Sequence, residues 1–114
     1  NMQQDYTTCY IFYKIGAEGL RKTDENNFIA QGIEQSADTS LKLAYETGEL
    51  MNMKVEAMAT RVKLEMKTQS AEIENDYVNA SILLEKYGLL CKNLIENKKQ
   101  RIEFWKNKAE NKFK

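Results

Sequence analysis

The stretch Met51–Ile73, MNMKVEAMATRVKLEMKTQSAEI, decides how the chain reads. Met51, Val55, Met58, Ala59, Val62, Met66, Gln69 and Ile73 recur at steps of three and four, the spacing of one face of an α-helix. Lys54, Glu56, Arg61, Lys63, Glu65 and Lys67 supply the mixed charge of a solvated opposite face. This heptad-like stripe predicts a helix from about Asn52 to Asn75 with one side buried against other helices.

Toward the N-terminus the same periodicity returns twice. Tyr6, Cys9, Tyr10, Tyr13, Ala17 and Leu20 outline a helix from about Asp5, read as its cap or first-turn anion, to Lys22. Thr23-Asp24 and Asn26-Asn27 break the chain, and Ile29, Ile33, Ala37, Leu41, Ala44 and Tyr45 outline a second helix. Gly48 reads as its C-terminal stop. Toward the C-terminus, Ile82, Leu83, Tyr87, Leu90, Cys91, Leu94 and Ile95 mark a helix from about Asn79 to Glu96, and a short fifth helix is expected from about Lys99 to Lys108. The fold class is therefore all-α: a single domain of four to five helices in an up-down bundle, since short loops favour antiparallel neighbours. The ordered core is expected from about residue 5 to 106, with a basic tail from about 107 to 114.

Composition supports this and removes whole classes of function. The 114 residues contain no proline and 5 glycines, too few turn formers for a strand-rich fold. There is no histidine, so the usual proton shuttle at neutral pH and the commonest transition-metal ligand are missing. The glycines are scattered and form no phosphate-binding loop. Met58 and Met66 fall on the core stripe rather than in a soft-metal set, and Glu65, Glu72, Glu74 and Asp76 read as solvated helix faces. No cofactor and no metal are expected. No run of apolar residues is long enough to span a bilayer.

Charge cancels overall, 17 basic against 17 acidic residues, but its distribution is uneven. Residues 1–96 carry 10 Lys/Arg and 15 Asp/Glu, net −5, whereas residues 97–114 carry 7 and 2, net +5. An acidic body thus ends in a basic segment.

Cys9 and Cys91 admit one disulfide, two buried free thiols or a redox pair, and the sequence has no Cys-x-x-Cys motif for the last. With the first and fourth helices antiparallel, Cys9 near the start of one stands level with Cys91 late in the other, which favours a structural bridge. A bridge would place maturation in an oxidising compartment. The reading is a periplasmic or secreted protein whose leader has been removed, with a cytoplasmic protein as the alternative.

The run Cys9-Tyr10-Ile11-Phe12-Tyr13-Lys14-Ile15-Gly16-Ala17, then Ala37-Asp38-Thr39-Ser40, Tyr87-Gly88-Leu89-Leu90-Cys91-Lys92 and Arg101-Ile102-Glu103-Phe104-Trp105, resembles a group of small exported bacterial helical proteins. That group carries one cysteine in an aromatic-rich first helix and another in a later Tyr-x-x-x-Cys-Lys. The resemblance spans about Cys9 to Trp105; it implies export and a disulfide, and it implies no chemistry.

Two features are candidates for binding. Tyr6, Tyr10 and Tyr13 recur on neighbouring turns, and tyrosine offers a large apolar body with a hydrogen-bonding tip. Arg101, Phe104, Trp105 and Lys106 interleave cations with aromatics in the basic segment, a pattern that suits anions or a partner surface. The reading is a non-catalytic exported helical protein that binds a protein partner or a small apolar ligand through these residues, its oligomeric state left open. The alternative is a cytosolic phage- or plasmid-type regulator binding nucleic acid through its basic end, although neutral overall charge makes nucleic acid a poor partner. An enzyme using tyrosine or carboxylate chemistry would be favoured by a cleft in which Tyr10, Tyr13 and a glutamate converge.

Overall fold

A computed structural model describes residues 1–24 and 27–96, except for the side chains of residues 23, 77 and 78. Its four α-helices are α1 (Met2–Thr23), α2 (Phe28–Leu50), α3 (Val55–Glu72) and α4 (Ser81–Glu96), with a 3-10 turn, Tyr77–Ala80, leading into α4. Among the described residues there is no strand. The fifth helix expected at Lys99–Lys108 lies outside the described residues, as do Arg101, Phe104, Trp105 and Lys106.

Local chemistry sets the helix ends. α1 begins one turn earlier than expected because Asn1, rather than Asp5, is its N-cap: the Asn1 side chain accepts from the Gln4 N–H at 2.8 Å. Asn27 caps α2 in the same way, accepting from the Ile29 and Ala30 N–H groups. At the far end α2 runs through Gly48 to Leu50 and stops where Asn52 turns left-handed at φ 59°. Asn52 N–H then donates to Glu49 and Met53 N–H to Gly48, the paired bonds that close a helix after a left-handed residue. Gly48 is therefore not the stop. A Cβ there would sit 2.1 Å from Met58 Sδ, so glycine is needed for α3's first buried side chain to cross α2. The same closure ends α3, with Glu74 and Asn75 left-handed and Asn75 N–H donating to Ser70.

Cross-helix contacts give the directions of the pairs. Arg21 meets Glu34 while Gln3 lies beside Gly48, so α1 and α2 run antiparallel over most of their length. Arg61 bonds Gln3, Gln4 bonds Glu65 and Gln69 bonds Thr8, so α3 runs parallel to α1. Cys91 meets Cys9 and Tyr87 meets Phe12, so α4 runs antiparallel to α1. α1 is thus the shared element, which explains why Met2, Tyr6, Cys9, Ile11, Phe12, Ile15 and Ala17 are all buried although they do not share one face.

The core joins this helix to Leu43 and Ala44 of α2, Ile73 after α3, and Leu83, Cys91 and Leu94 of α4. Met58, Val62, Met66, Gln69 and Ile73 follow the expected α3 stripe, buried or half-buried, but Met51 and Val55 at its start are exposed. On α2 the exposed Ile29 gives way to the buried Ala30, and on α4 Ile82 and Leu90 are exposed rather than buried. A periodic pattern locates a face but not which side chains at its margins reach a neighbour.

Candidate binding surface

The first-helix tyrosines separate by depth. Tyr6 is completely buried, its hydroxyl 3.5 Å from the Leu94 carbonyl oxygen at the limit of a hydrogen bond, so its phenol belongs to the core. Tyr10 and Tyr13 are half-buried against that core. The line they form with Tyr6 lies between the side of α1 that meets α2, marked by Gln3 and Arg21, and the side that meets α4, marked by Cys9. α2 and α4 make little contact with each other, so Tyr10 and Tyr13 stand on the strip of α1 between them.

Aromatic packing ties this strip to α4. The Phe12 ring lies 5.2 Å from that of Tyr13 and 6.4 Å from that of Tyr87, both tilted, as ring quadrupoles prefer. Tyr87 OH donates to Glu72 Oε1 at 2.8 Å, and Lys86 Nζ donates to the same oxygen at 2.9 Å while lying 5.3 Å from the Tyr87 ring centroid. Burial, followed by its bond to Glu72, raises the Tyr87 pKa above the usual phenol value. Burial, followed by the negative charge of Glu96, raises that of Tyr13. Both phenols are therefore neutral donors at physiological pH. The bonded tyrosine–carboxylate pair is Tyr87 with Glu72, whose Oε1 Lys86 also reaches, while Glu96 acts on Tyr13 through its negative charge.

A second polar group lies between α1 and α3, centred on Gln69, which the periodic stripe had placed on the buried side of α3. Gln69 is fully buried, and its Nε2 donates both to the Thr8 carbonyl oxygen at 2.8 Å and to Glu65 Oε1 at 2.9 Å. Two acceptors on one side fix the amide orientation and leave Gln69 Oε1 without a partner among the described residues. Gln3 Oε1 accepts from Arg61 at 2.9 Å, leaving Gln3 Nε2 in the same condition. The signal was present in Gln3-Gln4 and Thr7-Thr8 on consecutive turns opposite Gln69, but polar residues in a first turn read equally well as solvent-facing. Glu65 and Glu72, expected as solvated, are both half-buried and bonded.

Cys9 and Cys91 form a disulfide with Cα atoms 5.4 Å apart, and there is no free cysteine among the described residues. No group of three or more metal-ligating side chains occurs among the described residues, and no described helix is long and apolar enough to cross a membrane. Outside the core, Ile82, Leu84 and Leu89 of α4 and Phe28 and Ile29 at the start of α2 are large apolar side chains in solvent. Comparison with known protein families, curated proteins and solved structures finds no match for this chain.

Proposed function

We propose that the protein is a non-catalytic interaction protein, exported to an oxidising compartment, built as an up-down helical bundle, and recognising a partner along the Tyr10–Tyr13 strip of α1. The observation that carries this reading is the placement of two half-buried tyrosines on α1 between α2 and α4, at the height where Cys9–Cys91 ties α1 to α4. Rigid tyrosines lose little side-chain entropy on binding and pair an apolar face with a hydroxyl donor, which suits an apolar helix or a small apolar ligand with one polar group. The disulfide holds one wall of the strip in place. The resemblance to small exported helical proteins agrees with this setting.

The test is photo-crosslinking from position 13 in the producing cell, with the Cys9–Cys91 bond checked by mass after thiol alkylation. A discrete adduct that disappears when Tyr10 is changed to Ala, in protein whose cysteines resist alkylation, supports the reading. Free thiols in the native protein would defeat export, and the absence of any adduct dependent on Tyr10 would defeat the strip as the binding surface.

A further inference from the structure

α3 is the helix that the core holds least. Of its 18 residues only Met58 and Gln69 are buried, and neither belongs to the cluster that joins α1 to Leu43 and Ala44, Ile73 and α4. Val62 and Met66 reach only the margin of that cluster. The rest of the seam with α1 is polar: Arg61 donates to Gln3, Gln4 to Glu65, and Gln69 to the Thr8 carbonyl. Within it Gln3 Nε2 and Gln69 Oε1 are buried with no partner among the described residues. Docking α3 strips both atoms of water and replaces none of their bonds, a penalty that parting the seam relieves.

Its two ends are held differently. Lys54 stands at the N-cap without a side-chain bond to the first turn, and the only buried side chain of the first half is Met58, seated over Gly48. At the other end Glu72 accepts from Tyr87 and Lys86 of α4, and Ile73 lies in the core. Left-handed residues, Asn52 before the helix and Glu74 and Asn75 after it, set it off as a unit. The Cys9–Cys91 bond ties α1 to α4 directly, so it closes the fold with or without α3 in place. We infer that α3 is a lid: it parts from α1 and α2 at its uncapped end, pivots at Glu72–Ile73, and leaves the disulfide-tied body of α1, α2 and α4 folded. Freed of its packing, a helix of this length is marginal in water, so opening also unravels it and bares its amides. The surface uncovered is the polar Gln3–Gln4–Thr8 side of α1, where water supplies the two missing partners.

Native-state hydrogen exchange on the oxidised protein, followed residue by residue in low urea, tests this. Amides of residues 59–71 should share one opening, at least ~10-fold less protected than the slowest amides of α1 and α2. Its urea dependence should be weaker than theirs, because it exposes less surface than global unfolding. Met58→Ala, which removes the side chain seated over Gly48, should speed the exchange of α3 by ~10-fold or more. Lys54→Asp, which supplies the missing cap, should slow it about 5-fold. Amides of α3 that share the protection and the urea slope of α1 would overturn the lid, since the helix would then part only when the whole chain unfolds. An opening in which α4 exchanges together with α3 while the bridge is intact would overturn it too, as would an opening that neither substitution changes.

Discussion

Gly48 and Gly32 share α2 and behave oppositely. A methyl group at Gly48 would run into Met58, which is itself buried and has little room to move, so Gly48→Ala should destabilise by about 1–3 kcal/mol. At Gly32 the space is open and the residue exposed, so Gly32→Ala should stabilise by ~0.5–1 kcal/mol through helix propensity and a less flexible unfolded chain. Urea midpoints of the two variants should therefore move in opposite directions. Tyr87 yields a prediction in pH. Its phenol is held protonated above the ordinary value of 10.0, so the folded state keeps a proton that the unfolded chain releases. Stability from this group is complete below about pH 10 and is lost as pH rises through the folded-state pKa. Absorbance titration at 295 nm should show a late phenol that Tyr87→Phe removes, and a titration unchanged by that substitution would contradict the Tyr87–Glu72 bond.

Among the elements, the helix ends show where local chemistry suffices. Asn1 and Asn27 cap α1 and α2 with side chains suited to that role. Glu74 is poorly suited to its own: it takes the left-handed position after α3, which a side chain with a Cβ disfavours. Glu74→Gly should stabilise the protein by about 0.5 kcal/mol, the relief of strain less the extra entropy of glycine in the unfolded chain, measured as a small rise in the urea midpoint. The helix–helix seams are less local. α2 buries Ala30, Ala37, Ser40, Leu43, Ala44, Thr47 and Gly48, mostly small side chains that include Ala37 and Ala44 of the expected stripe, while the larger Ile29 of that stripe is exposed and Leu41 only half-buried. Close approach of two helices selects small residues at the contact, and side-chain size alone does not reveal which helix comes close.

For the whole molecule the disulfide is the dominant constraint. It joins residues 82 apart in sequence and fastens α4 to the helix shared by every other element. In the chain-entropy model, closing a loop of that length contributes ~4–5 kcal/mol, a large share of the roughly 5–15 kcal/mol that holds a typical domain together. Cys9→Ser combined with Cys91→Ser should therefore lower the unfolding free energy by several kcal/mol in urea titration, leaving a chain that is folded only marginally if at all. A double variant with the parent's midpoint would show that α4 docks without the bridge.

Periodicity by itself determined the helical class, the number of described helices, the α3 stripe from Met58 to Ile73, and the level at which Cys9 and Cys91 would meet. These are consequences of spacing along one chain: a helix places every third and fourth residue on one side whatever surrounds it. Only the tertiary structure decided that α1 is enclosed on several sides, that Tyr6 is buried while Tyr10 and Tyr13 stay half-exposed, and that Gln3 is inside. It also decided that Gly48 serves the passage of Met58 rather than the end of α2. Each of these depends on which helix lies beside which and how near. That outcome belongs to the packing of all the faces at once, and no single stretch of sequence encodes it.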